Sequence, residues 1–114
     1  MLPKRNCLTK EKDFQKIFRT GKTFVEKFIV LKLLPNGLNF SRFAFAVGLK
    51  ISKKAVIRNK IKRQLGEIIR VAWDDIRQGC DVIVLLKKEI AGKDYGEIER
   101  TTRDALRKAG LLNN

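Results

Sequence analysis

The chain has 114 residues, 44% of them hydrophobic, which suits one domain with a real core. It carries 26 Lys plus Arg against 12 Asp plus Glu, a net charge of +14, and no histidine at all. Such a balance fits a polyanionic partner and removes the commonest general base and metal ligand from consideration. Cys7 and Cys80 lie far apart with no CxxC, so neither a disulfide framework nor a zinc site is expected, and a reduced, cytoplasmic setting follows. No apolar stretch approaches the ~20 residues that span a bilayer, and Met1 leads into charge rather than a signal-like apolar run. No membrane partner is expected.

In chain order, residues 1–8 read as a basic leader with Lys4 and Arg5, expected to be flexible. Thr9 caps a short helix with Glu11 and Asp13 in its first turn, where the helix dipole favours acids. Phe14, Ile17 and Phe18 then share one face, and Gly21 is placed as the C′ terminator. Residues 23–34 read as one long or two short strands, closed by the turn signal Pro35-Asn36-Gly37. Residues 40–49 alternate, with Phe43, Phe45 and Val47 on one side and Arg42, Ala44 and Ala46 on the other. This predicts a hairpin partner for the preceding strand. The face bearing Arg42 has small neighbours; it is either open to a ligand or an ordinary half-buried strand face.

A long helix is predicted from about Lys53 to Gln78, with Ser52 as N-cap and Gly79 as stop. Ile57, Ile61, Leu65, Ile68 and Ala72 recur every three or four residues as an apolar stripe, and Asn59, Lys62, Arg63, Gly66 and Arg70 cluster on the other side. Residues 81–87 form a short apolar run, as in an interior strand. After Ala91-Gly92, residues Tyr95, Ile98, Ala105, Leu106 and Ala109 mark a last amphipathic helix, followed by a tail at 110–114 expected to fray. With no repeat or linker, the reading is a single α+β domain of order α-β-β-β-α-β-α over residues 1–114.

The charge is concentrated in the middle of the chain. From Lys27 to Gly66 every charged residue is basic, while most carboxylates come later. Lys50, Lys53, Lys54, Arg58, Lys60, Lys62 and Arg63 crowd the start of the long helix, where the dipole disfavours cations by roughly 0.3–1 kcal/mol each before screening. Free helix N–H groups with ammonium groups beside them suit phosphate. A plain solvated basic face is the competing reading, and the lack of interleaved acids weighs against it. No catalytic set emerges. Asp74 and Asp75 point about 100° apart on a helix, Glu11 and Asp13 complement a dipole, and neither cysteine has a base nearby in sequence.

At these residues the chain resembles the protein subunit of bacterial ribonuclease P. That family's mark is a helix entered through K-x-G-x-A-V-x-R-N-R-x-K-R-x-x-R, and Ala55, Val56, Arg58, Asn59, Lys62 and Arg63 match it, with Lys60 in place of an Arg. Its opening helix has the form D-F-x-x-x-F-x-x-G, matched by Asp13, Phe14, Phe18 and Gly21. The chain departs from the pattern at several places. Gly66 replaces the last Arg of the block, Ser52-Lys53-Lys54 stands where the entry Gly is usual, and Cys7 replaces a frequent basic residue. Leu31 is the nearest equivalent of an aromatic, often Tyr, in the family's cleft.

The resemblance implies a four-stranded mixed sheet with helices packed on one face, as in the second domain of a small-subunit ribosomal protein. It also implies a division of labour. The RNA subunit and substrate hold the catalytic Mg²⁺, with no organic cofactor, and the RNA cleaves precursor tRNA to give the mature 5′ end. The protein, one per RNA, binds that RNA through the basic helix. Lys50, Lys53, Lys54, Arg58, Asn59, Lys60, Lys62 and Arg63 are the candidates for that contact, with Asn59 either reading a base edge or 2′-OH or bracing the helix start. Phe14, Phe18 and Arg42 are the candidates for the 5′ leader, the two rings being open to either stacking or core packing. A ribosomal or chaperone-type RNA-binding protein without a role in cleavage is the alternative.

Overall fold

The structure is a computed structural model and describes residues 2–112. Helix α1 (Glu11–Thr20) is followed by β1 (Lys22–Glu26), β2 (Ile29–Pro35), β3 (Arg42–Ala46), α2 (Ala55–Val71), β4 (Cys80–Leu86) and α3 (Tyr95–Lys108). The predicted order α-β-β-β-α-β-α is therefore present. The four strands form one mixed sheet in the order β1-β2-β4-β3.

The apolar run of β4 is explained by its place. It pairs antiparallel with β2 on one side and parallel with β3 on the other, and Val82, Ile83 and Val84 are buried. This corrects the expected hairpin between β2 and β3. The turn after Pro35 does reverse the chain, with Gly37 at φ 72° and Leu38 N–H donating to Asn36 Oδ1 at 2.8 Å. It then carries β3 past β4 instead of back along β2. Asn36 holds this path by donating from Nδ2 to Asp81 Oδ1 at 2.9 Å and to the Phe40 carbonyl at 3.1 Å. The true hairpin is β1–β2, closed at Lys27-Phe28 with Lys27 in the left-handed region at φ 50°.

Alternation along the strands gives the sheet two covered faces. Leu31, Leu33, Phe43, Val82 and Val84 join Ile61, Leu65, Ile68 and Ile69 of α2 and Ile98, Ala105 and Leu106 of α3 in the main core. On the reverse face, Ile83 packs with Leu8 and Ile17, flanked by Phe14, Leu34, Ala44 and Leu85. Helix α1 lies there, so the helices occupy both faces rather than one. Of the α2 stripe, Ile57 is the exception and remains 37% exposed.

Several helix ends differ from expectation. Helix α1 begins after Lys10 and not at Thr9, and neither α1 nor α2 has a side-chain cap bond. The Ser52 hydroxyl instead accepts from Lys54 N–H at 3.1 Å, one turn before α2, and Lys54 is the N-cap. Helix α2 stops at Val71; a short 3₁₀ turn (Trp73–Asp75) follows, in which Trp73 packs edge-on against Phe43. Gly21 ends α1 in extended backbone (φ −73°, ψ 158°), not left-handed. Its lack of a side chain serves close packing, because a Cβ there would sit 2.5 Å from the Ile17 carbonyl and 2.9 Å from that of Leu33.

Both termini are docked where they are described. Asn6 is buried and donates to the Ser41 carbonyl at 2.9 Å, Cys7 bridges Phe43 in parallel, and Leu8 N–H donates to the Phe43 carbonyl at 2.9 Å. The leader thus lines the outer edge of β3. At the other end Gly110 (φ 76°) closes α3, with Leu111 N–H reaching the Leu106 carbonyl, and Leu111 and Leu112 are buried. The expected fraying fails for these residues; Asn113 and Asn114 lie outside the described part.

Two glycines should respond in opposite directions. Gly21→Ala forces a clash with backbone atoms and is expected to cost about 1–3 kcal/mol, whereas Gly66→Ala, with nothing within 4 Å of its Cβ, should gain about 0.5–1 kcal/mol. Thermal melts of the two variants check this: one midpoint falls and the other rises.

Candidate nucleic-acid interface

Helix α2 and the loop before it project the basic block. Lys50, Lys53, Lys54, Asn59, Lys60, Lys62 and Arg63 are exposed, because the opposite side of the same helix is committed to the core. Arg58 is half-buried, and its Nη1 donates to the Ser52 carbonyl at 2.9 Å. This side chain braces the loop that carries Lys50, Lys53 and Lys54. Among the described residues, none of the seven cations between Lys50 and Arg63 has a carboxylate within ion-pair distance. Five of the later cations are paired instead: Arg70 with Glu67, Lys93 with Glu97, Arg103 with Glu99, Arg107 with Asp104, and Lys108 with Glu26. Pairing with Arg70 holds the Glu67 carboxyl below the usual range.

An open groove of about 1280 Å³ runs beside α2. Asn59, Lys60, Lys62, Arg63 and Gly66 form one wall; Phe14, Ala44 and Phe45 lie across from them, and Lys4 and Cys7 come from the leader. The structure therefore brings half of the predicted RNA-subunit residues to one concavity with one of the three predicted leader residues, Phe14. Lys50, Lys53, Lys54 and Arg58 lie outside that groove, along the entry to α2.

The two α1 rings separate. Phe14 is half-buried and lines the groove, Ile17 is buried, and Phe18 is 47% exposed. Lys32 Nζ stands 5.9 Å from the centre of the Phe18 ring and donates to Thr23 Oγ1. Leu31 is fully buried on the face away from α1, so it does not replace a cleft aromatic. The neighbouring Lys32 is the residue that reaches that surface. Sequence reasoning missed Lys32 and Lys4; strand alternation held the signal for the first, since an inward Leu31 forces Lys32 outward.

Arg42 is not a free cation. Nε and Nη2 donate to Asp81 Oδ1 and Oδ2 at 2.8 and 2.6 Å, and this bond to Asp81 holds its guanidinium above the ordinary range. Arg42, expected at the 5′ leader, is thus held by Asp81 within the sheet, with its side chain partly exposed. For Cys80, burial pushes the thiol up, away from the reactive thiolate. No group of three or more His, Cys, Asp or Glu is arranged to hold a metal among the described residues, and no helix there is long and apolar enough to cross a membrane.

The family model described as Ribonuclease P matches residues 2–110. The chain belongs to the ribonuclease P protein family.

Among curated relatives, the ribonuclease P protein component of Alkaliphilus oremlandii is 35% identical, covering 96% of this chain and 95% of its own. That of Caldanaerobacter subterraneus is also 35% identical, covering 97% and 95%. The solved Staphylococcus aureus RNase P protein superposes with a TM-score of 0.88 at 27% identity over 95% and 98% of the two chains. The Thermotoga maritima protein gives 0.82 at 30% identity over 89% and 94%. Membership makes this chain a protein subunit of ribonuclease P, a tRNA-processing ribonucleoprotein, and sets aside the ribosomal or chaperone alternative. Within the family motif, the Arg-Asn pair divides its work. Arg58 points back to brace the entry loop while Asn59 faces the groove.

With about six of these cations engaging phosphates, affinity for a folded RNA should fall with salt at a log–log slope of roughly −4 to −5. Filter binding across a salt series measures it, and a slope near −1 would rule out the basic face as the contact.

Proposed function

We propose that this chain binds the ribonuclease P RNA through α2 and its entry loop, and steadies the 5′ leader of precursor tRNA along the surface carrying Phe14 and Phe18. The observation that carries the reading is the block of cations from Lys50 to Arg63 without carboxylate partners among the described residues. Unpaired ammonium and guanidinium groups on a rigid helix suit phosphates of a folded RNA, which is recognised mainly by shape and backbone. Asn59, Lys60, Lys62 and Arg63 contact it from the groove wall, with Lys50, Lys53 and Lys54 extending the surface. Leader nucleotides, unpaired, stack on the accessible faces of Phe14 and Phe18, with Lys32 supplying a charge beside the second ring.

The hydrolysis itself belongs to the RNA in this reading. The chain has no histidine, and the carboxylates of its C-terminal half are dispersed or paired. Mg²⁺ is then held mainly by the RNA subunit and substrate, where it supplies charge neutralisation and an activated water. The protein's cations lower the repulsion between two RNAs, so less Mg²⁺ is needed to bring them together. One protein per RNA and a cytoplasmic location complete the proposal.

Reconstitution with ribonuclease P RNA at low Mg²⁺ tests this. Addition of the chain should restore 5′-leader removal, and the chain alone should cut nothing; cleavage by the isolated polypeptide would overturn it. Lys62→Ala with Arg63→Ala should weaken RNA-subunit binding by about tenfold or more while circular dichroism stays unchanged. Unfolding of that variant would make the two residues structural.

A further inference from the structure

The Arg42 guanidinium joins three elements. Asp81 at the start of β4 fixes it through two bonds, and Asp81 is itself held by Asn36 Nδ2 at 2.9 Å. The remaining nitrogen, Nη1, lies 3.6 Å from Asp13 Oδ2 in the first turn of α1. Among the described residues this is the only ion pair between α1 and the sheet. The rest of the α1 contact is apolar packing through Ile17 and Phe14, with the Lys32 ammonium over the Phe18 ring. Apolar contact is non-directional and tolerates a helix rolling or sliding on its seat. A guanidinium locked by a buried carboxylate has a fixed heading, so a carboxylate on α1 that meets it sets where the helix start lies.

We propose that Asp13 is a positioning residue for single-stranded RNA. Through Arg42 and Asp81 it sets the roll of α1, so that Phe14 faces the groove while Phe18, one turn on, stays exposed beside Lys32. The proposal rests on the leader-binding reading above. Its sign distinguishes it from plain electrostatics. Asp13 is a carboxylate near a polyanion, so removing its charge should tighten RNA binding if charge were all that mattered. As a positioning residue, its loss should weaken leader binding instead.

The test uses the full chain reconstituted with ribonuclease P RNA, and precursor tRNAs carrying a long or a one-nucleotide leader. The readout is the ratio of the two affinities. Asp13→Asn should lower that ratio about threefold to tenfold, Arg42→Lys should do likewise, and the double variant should be no worse than the single ones. Glu11→Gln is the control: it removes the same charge from the same helix turn, but Glu11 is exposed and has no ion-pair partner among the described residues. Its ratio should stay at the unmodified value. Amide exchange of the free protein gives a readout without RNA. Ile17 and Phe18 should exchange about tenfold faster in Asp13→Asn, with β2 and β4 unchanged. An unchanged or raised ratio in Asp13→Asn overturns the proposal, as does an equal fall in Glu11→Gln, which would mark a helix-dipole effect. If the unmodified chain shows no leader dependence, the leader-binding reading itself fails and takes this role with it; the exchange data then still show whether the contact holds α1.

Discussion

Parallel pairing of β3 with β4 is the constraint on which the rest depends. Two neighbouring parallel strands cannot be joined by a tight turn; the chain must leave the sheet and cross over it, and here α2 makes that crossing. A crossover helix has to bury one side against the sheet, and Ile61, Leu65, Ile68 and Ile69 do so. Its other side is then held outward by the fold itself. The basic block is consequently displayed on a rigid element rather than on a loop, and its angle to the sheet follows from packing that no RNA contact has to supply. The leader docked along β3 covers what would otherwise be an open strand edge and forms part of the groove rim.

That display has a stability cost which the fold carries elsewhere. Cations at a helix N-terminus oppose the dipole, α2 has no acid in its first turn, and no side chain caps it. In α3 the reverse holds: Asp94 accepts from Glu97 N–H at 2.8 Å, an acid lies in the first turn and basic residues in the last. Helix α3 is tuned for stability and α2 for a ligand, and the two pack against each other in one core. Arg58 shows the compromise at one residue, a cation in the block whose guanidinium supports the entry loop through a backbone carbonyl.

Element order, the two amphipathic helices and the interior strand were legible because each rests on local periodicity. The wrong steps were those where a local signal permits two outcomes. Pro35-Asn36-Gly37 marks a reversal, but it does not say which strand lies beside the next one; that is decided by β4, more than 40 residues later in the chain. Ser52 has the chemistry of an N-cap, yet the helix starts at Ala55. The leader looked loose on charge alone, and the buried Leu2, Asn6 and Leu8 that anchor it carry no periodicity in so short a segment. For the site, the unpaired block was visible as an acid-free stretch. The pairing of Arg42 was not legible because its partner, Asp81, adjoins it only through the parallel register.

Phe14 and Phe18 show how one helix can serve two purposes with residues of one type. Ile17 lies between them in sequence and takes the centre of the seat, fully buried against Ile83 and Leu8. At about 100° per residue, Phe14 and Phe18 lie on the same side of it, about 60° and 100° round from Ile17, so Phe14 is half-buried at the groove and Phe18 is exposed. A roll one way would bury both rings against the sheet and a roll the other way would swing both away from it, so the pair is useful for stacking only if the helix is held to a narrow range of rotation. Apolar packing at Ile17 provides the attraction. The fixed guanidinium near the start of α1 and the ammonium of Lys32 over the ring near its end provide the heading. The aromatic surface and the cationic surface are therefore not independent features: the first is oriented by contacts that end on β2, β3 and β4, the second by the apolar packing of α2 on the same sheet.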